Sequence, residues 1–342
     1  MAFEIHITRQ KAGDRAGDVY ELADAAGTVR AEVWPQWGFN CLRWQVRQDD
    51  GRWADIIFTM PDWESNPVPT RSGHPILFPF PGRLRDGKLK FEGQEYQLPL
   101  NDSTKQHAIH GFTPRNPWRV VEWNSDENSA FVTGEFNLAQ DLPDALPLWP
   151  SDFTLNVTYR LFRNRLRVEA RVANVGARPL PFGLGYHPYF RLPGVHDANI
   201  GNHVLQTHTS ELWEAENNLP TGKRIPVPEA LDFREAKPIG STELDNVFTG
   251  VGHSTLVGGL AELAVLSHPQ ALGCVQFLVG DAFRELVLFT PAHRNAIAIE
   301  PYTCSADASN LAARGIDSGW AVIPVGGRWE SHVEYRWVLD EL

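Results

Sequence analysis

The sequence predicts an all-β protein, a large antiparallel β-sandwich with few short helices, on three observations. Period-two alternation dominates wherever a pattern is readable, sustained 3.6-residue periodicity is hard to find, and 28 Gly with 25 Pro are spread along the 342 residues. Such punctuation suits many short strands better than several long helices. The first strand-and-turn signals are Lys88–Leu98 and Ala130–Phe136, each bounded by Gly, Pro, Asn or Asp. The clearest strand follows: from Phe153 to Leu161 every second residue is apolar and those between are polar, so one face is buried. Arg163-Asn164 reads as a tight turn, and Leu166–Val172 alternates in the same way, as the return strand of a hairpin. Glu285–Phe289 is another short strand, and near the C-terminus Trp329, Ser331, Val333, Tyr335 and Trp337 share one face. The polar stretches near 140–150 and 214–240 read as loops. No linker or low-complexity tract divides the chain, so a single domain over 1–342 is predicted, and no repeating blade signature supports a propeller. Many strands that each carry one apolar face are covered most simply by two sheets packed face to face.

Composition narrows the function. Asp plus Glu number 42 against 31 Lys plus Arg, a formal charge of -11 that repels nucleic-acid backbones and anionic membranes at long range. A small-molecule partner suits that field. Cys41, Cys274 and Cys304 are odd in number and far apart, without CxxC spacing, which points to a reducing, cytoplasmic compartment. The N-terminal residues do not read as a signal peptide, and no apolar run approaches the ~18 residues of a membrane span.

Signatures of hydrolases, NTPases and dehydrogenases are missing: no GxSxG elbow, no Walker loop, no HExxH, and only a Gly183-Leu184-Gly185 fragment of a dinucleotide fingerprint. His107 and His110 have HxxH spacing, but no third ligand lies near them in the sequence, and no metal is expected. Five polar residues instead sit in apolar, aromatic or Gly/Pro surroundings where a structural role is awkward. They are Arg83 in Phe78–Arg83, His110 in His107–Phe112, His187 in Phe182–Phe190, Asp245 in Glu243–Phe248 and Glu300 in Ala296–Tyr302. Singly, Arg83 and Asp245 could pair with each other or cap turns, and His110 could be a satisfied core histidine. A rigid pocket with aromatic walls for sugar rings is the alternative.

In this order these segments resemble the aldose 1-epimerase family, the galactose mutarotases. The resemblance spans nearly the whole chain and rests on Gly38-Phe39-Asn40, the Pro81-Gly82-Arg83 segment, His110-Gly111, His187–Phe190, Leu244–Phe248 and Ile299-Glu300-Pro301. It implies a β-supersandwich, no cofactor, a monosaccharide substrate and a site of the five residues above. Glu300 would be the base that takes the C1-hydroxyl proton and His187 the acid that protonates the ring oxygen, while Arg83, His110 and Asp245 would bind the sugar. A small upward shift from about 6.5 would keep His187 protonated at neutral pH, and a neighbouring carboxylate is expected to provide it.

Two departures from the family pattern bear on substrate. Gly82 stands where an asparagine commonly precedes the arginine, and Gly185-Tyr186 precede His187. Arg71 and Arg115 resemble arginines that bind phosphate in the related hexose-6-phosphate 1-epimerases, and guanidinium forks suit phosphate oxygens. The sequence therefore places mutarotation of a free aldose first, a hexose-6-phosphate 1-epimerase second and a non-catalytic carbohydrate-binding protein third. A glycoside hydrolase would need two flanking carboxylates, for which only Glu300 and Asp245 can be named. Nothing in the sequence sets the oligomeric state.

Overall fold

The computed structural model describes residues 2–66, 68–195, 199–252, 256–257 and 259–339. Among them, two large antiparallel sheets carry the architecture, one of 13 strands and one of 10. The predicted hairpin is present, with Phe153–Phe162 paired to Arg165–Asn174 through Arg163-Asn164. Phe153, Leu155, Val157, Tyr159 and Leu161 are fully buried, as the alternation requires. The hairpin continues through Arg328–Leu339 and Gly273–Val279 to form the middle of the smaller sheet.

The larger sheet runs from the hairpin Phe3–Ala12/Arg15–Asp24 at one edge to Thr209–Glu216/Leu219–Pro226 at the other. Its centre is Ile297–Tyr302, flanked by Tyr189–Phe190 and Glu285–Phe289. These central strands are buried on both faces, which is why they read as continuous apolar runs in the sequence. Period two still governs them: Leu286, Leu288, Ile297 and Ile299 enter the core shared by both sheets, while Val287 and Tyr302 belong to a separate cluster on the opposite face. Glu300, in step with Tyr302, therefore projects from the outer face of the larger sheet.

The shared core contains one polar brace. His74, wholly buried, has Nδ1 3.0 Å from the Tyr159 hydroxyl and Nε2 2.9 Å from that of Tyr335. Burial pushes its pKa down to about 3, so the imidazole is neutral.

Two expectations about loops need correction. The stretch 138–148 forms a short helical passage, Leu138–Asp141 capped by the Asn137 side chain and then the 3₁₀ turn Pro143–Leu148. Much of 214–240 is the edge hairpin, whose two-residue turn has Asn217 and Asn218 at φ 52° and 62°. Positive φ at both positions is the type I′ requirement, and asparagine tolerates it. No helix among the described residues is long and apolar enough to cross a membrane.

Candidate active site

A cleft on the outer face of the larger sheet is lined by all five residues singled out above: Arg83, His110, His187, Asp245 and Glu300, together with Arg71. Glu300, only 1% exposed, lies at its base. Its Oε2 accepts a 2.7 Å hydrogen bond from the Tyr302 hydroxyl, and its Oε1 is 3.3 Å from His187 Nε2. Burial raises the Glu300 pKa well above the usual carboxylate range; the Tyr302 hydrogen bond opposes this and the charge of Asp245 adds to it.

His187 sits between two short strand segments, with its backbone N–H on the Pro75 carbonyl. Its ring stacks on Tyr189 at 5.0 Å between centroids and meets Phe289 and His110 edge-on at 6.0 and 5.6 Å. The expected upward shift is not found. Burial pushes His187 down to about 4, and the adjacent carboxyl does not reverse this because burial disfavours its ionised form as well. Burial thus disfavours the charged form of both groups, and a proton passed across the contact from Glu300 to His187 would leave the net charge of the pair unchanged.

His110 occupies the left-handed region, φ 63°, directly before Gly111 at φ 65°. Its Nδ1 accepts a hydrogen bond from the Gly82 backbone N–H at 3.2 Å, so the neutral ring carries its proton on Nε2. Burial and the nearby charges of His187, Arg115 and Arg83 push its pKa well down, which fixes that neutral state. Arg83, on the strand Arg83–Leu84, pairs in register with Ile109 and does not ion-pair with Asp245; its Nε faces Asp102 Oδ2 at 3.7 Å. Asp245 is exposed at the rim, with Asn218 Nδ2 donating to its Oδ2 at 2.8 Å. Partial desolvation raises its pKa, against Arg83 and Asn218.

The two arginines noted for phosphate separate. Arg71 is exposed on the cleft lining, and its side chain makes no hydrogen bond or ion pair among the described residues. Arg115 does not line the cleft; it ends the 3₁₀ turn Thr113–Arg115, with Nη1 buried and unbonded. The glycines of the two departures have steric reasons. A Cβ at Gly82 would lie 2.8 Å from Ala306 Cβ, and one at Gly185 2.5 Å from the Tyr302 ring. Among the described residues no group of three or more His, Cys, Asp or Glu gathers as a metal site.

The sequence reading missed the wall contributed by the edge hairpin, Trp213, Ala215, Asn218 and Pro220. It also missed Glu285, fully buried beneath that wall, whose Oε2 accepts from Trp213 Nε1 at 3.0 Å. Burial raises the Glu285 pKa from 4.5 to about 7. Because the folded value is the higher one, its contribution to stability is complete below pH 4.5 and is lost as pH rises through 7. Glu285→Gln is therefore expected to gain on the wild type between pH 5 and 8, by up to roughly 3 kcal/mol in denaturant unfolding. An equal difference at both pH values would contradict the raised value.

A family model described as aldose 1-epimerase matches residues 18–336, and the chain belongs to that family, a class of isomerases. The uncharacterized protein YihR of Escherichia coli K12 is 27% identical over 71% of this chain and 72% of its own length. Human galactose mutarotase is 24% identical over 66% of this chain, a match spanning 64% of the human protein, just under two thirds. Among solved structures, a galactose mutarotase-like protein from Clostridium acetobutylicum superposes with TM-score 0.83 at 21% identity, over 98% of this chain and 99% of the other. Galactose 1-epimerase from Lactobacillus acidophilus does so with TM-score 0.76 at 20% identity, over 99% and 100%. These structural likenesses establish the fold.

Proposed function

We propose that the protein interconverts the α and β anomers of a free monosaccharide. The observation that carries this reading is the 3.3 Å contact between Glu300 Oε1 and His187 Nε2 at the base of a cleft that also presents Arg83, His110 and Asp245. Ring opening needs a base on the C1 hydroxyl and an acid on the ring oxygen at once. With the shared proton on His187, Glu300 takes the hydroxyl proton, the O–H electron pair becomes the second C1–O bond, the bond from C1 to the ring oxygen breaks, and that oxygen takes the His187 proton. Rotation about C1–C2 and reclosure by the reverse transfers invert C1, with no net proton gained or lost. The neutral Nε2–H of His110 is a hydrogen-bond donor for a sugar oxygen, and Arg83 with Asp245 would fix the ring through its hydroxyls. Mere binding needs no acid and base in contact, which argues against a silent lectin-like role.

The test is polarimetry on freshly dissolved α-D-glucose and α-D-galactose, with a coupled assay on α-glucose 6-phosphate. Acceleration of a free sugar supports the proposal, and spontaneous rates with every sugar overturn it.

One observation favours the second reading, a phosphorylated hexose: the side chain of Arg71 stands on the cleft lining with no hydrogen bond or ion pair among the described residues. If the substrate carries phosphate, Arg71→Ala is expected to lower kcat/KM for the phosphosugar by about 10²-fold, the value of a charge-assisted contact, and to leave free glucose nearly unchanged. Equal small effects on both would assign the phosphate reading no support from this residue.

A further inference from the structure

Asp102 belongs to no step of the chemistry above, yet it is 2% exposed and lies directly behind Arg83. Its Oδ1 accepts from the backbone N–H groups of Gln106 and His107 at 2.9 and 3.1 Å, which closes the loop leading to His110. Its Oδ2 accepts from the Thr104 hydroxyl at 2.6 Å and lies 3.7 Å from Arg83 Nε, an ion pair rather than a hydrogen bond. Those hydrogen bonds hold its pKa down to about 2, so it is charged throughout the physiological range. The loop is fixed at its other end by Asn101, whose Oδ1 accepts from the N–H of Ile109, the residue that pairs with Arg83 across the short strands. The carboxylate is thus built into the frame that presents two of the sugar-facing side chains.

Arg83 lies between two carboxylates. Asp102 is in contact with it, while Asp245, across the cleft, is near enough for the guanidinium to lower its pKa but makes no ion pair with it. Two opposite charges on facing walls of a partly dehydrated cleft attract, and closing that gap would fill the space meant for the sugar and consume the groups meant for its hydroxyls. Resting on the epimerase reading, we propose that Asp102 is a positioning residue for sugar binding. It anchors Arg83 on its own wall and so keeps Arg83 and Asp245 apart, both free to bind hydroxyl groups.

Asp102→Asn separates this role from a structural one. The amide retains an oxygen for the Gln106 and His107 N–H groups, so the loop keeps its closure; the charge facing Arg83 is lost, and the Thr104 hydroxyl, deprived of its acceptor, can turn to accept from the new amide N–H. D102N is expected to raise KM for the aldose about tenfold with kcat within about twofold, the scale of a charge-assisted contact. Arg83→Ala should raise KM further, and the double variant should match R83A alone, because Asp102 acts through Arg83. A wild-type KM in D102N, a loss confined to kcat, or full additivity with R83A would overturn the proposal. Should D102N not fold, side-chain NMR of the wild type decides: the Arg83 Nε–H signal, identified by its loss in R83K, is expected to exchange with water more slowly than that of a free guanidinium, and free-arginine exchange overturns the proposal. Wild-type acceleration of anomer exchange tests the epimerase reading separately. If it is absent, the same variants are compared by NMR titration with D-galactose, where the tenfold change is expected in Kd and an unchanged Kd overturns the positioning role.

Discussion

Glu300→Gln is expected to slow anomer exchange by about 10³-fold, with KM changed by no more than a few-fold. Glutamine has the shape of glutamate, and its amide oxygen can still accept from the Tyr302 hydroxyl, so the packing at the base of the cleft is preserved. What disappears is the ability to take a proton. The substitution removes a carboxyl whose ionised form is disfavoured by burial, so stability should hold or rise, and loss of activity cannot be credited to unfolding. His187→Asn is expected to lose about 10²-fold or more, and the double variant little beyond E300Q, since the two groups handle one proton together. Polarimetric rates set against thermal unfolding of the same preparations make the comparison. E300Q activity within tenfold of the wild type would remove the pair from the reaction.

The largest effect on stability is expected at Gly111. An added Cβ would lie 2.1 Å from the Phe78 carbonyl oxygen, 2.4 Å from its carbon and 2.7 Å from Pro79 N, and all three are backbone atoms that cannot swing aside. The residue also has φ 65°, where a side chain is strained in any surroundings. The same strand of chain carries the Phe112 N–H to Phe78 O hydrogen bond of 2.7 Å, so the clash would be relieved only by pulling apart two segments that meet at the cleft. Gly111→Ala should cost about 4 kcal/mol or prevent folding. Gly93→Ala provides the contrast: its φ is 75°, yet nothing lies within 4 Å of the added carbon, and a loss of about 1 kcal/mol is expected. Equal losses at the two positions in denaturant unfolding would show that the approach to Phe78 carries no weight.

These residues also mark what the sequence made legible. The hairpin Phe153–Asn174 was readable because one face meets the core and the other meets water, which writes burial directly into the alternation. The central strands of the larger sheet lose that signal, since Val287 and Tyr302 are buried on the outer face and Leu286 and Ile299 on the inner. The edge hairpin hid for another reason. Its register slips between Trp213 and Ala215, so no regular alternation runs through it, although Asn217-Asn218 carried the turn signal. The five site residues span positions 83 to 300, a separation that periodicity cannot bridge; the family resemblance grouped them, and the fold brings them to one cleft. Asp102 and Glu285 carry no signal in the sequence, because a carboxylate in a polar or short apolar segment is distinguished only by its neighbours in space. The direction of the His187 shift is hidden on the same ground: a carboxylate can be inferred from sequence, whereas the depth at which both groups lie cannot.

Two apolar sheet faces pressed together have little preference for one lateral offset over another, because dispersion and water exclusion are nearly indifferent to sliding by part of a side chain. The imidazole of His74, held at both nitrogens by tyrosines of the smaller sheet, acts as a key in a keyway. Displacement would leave three polar groups stranded in a dry interior. The flanking carbonyls of Gly73 and Pro75 receive the backbone N–H groups of Tyr189 and His187, so the offset selected deep in the core is handed on to the imidazole that lines the cleft. The orientation of the His187 ring in the cleft is thereby set by a lock some distance beneath it.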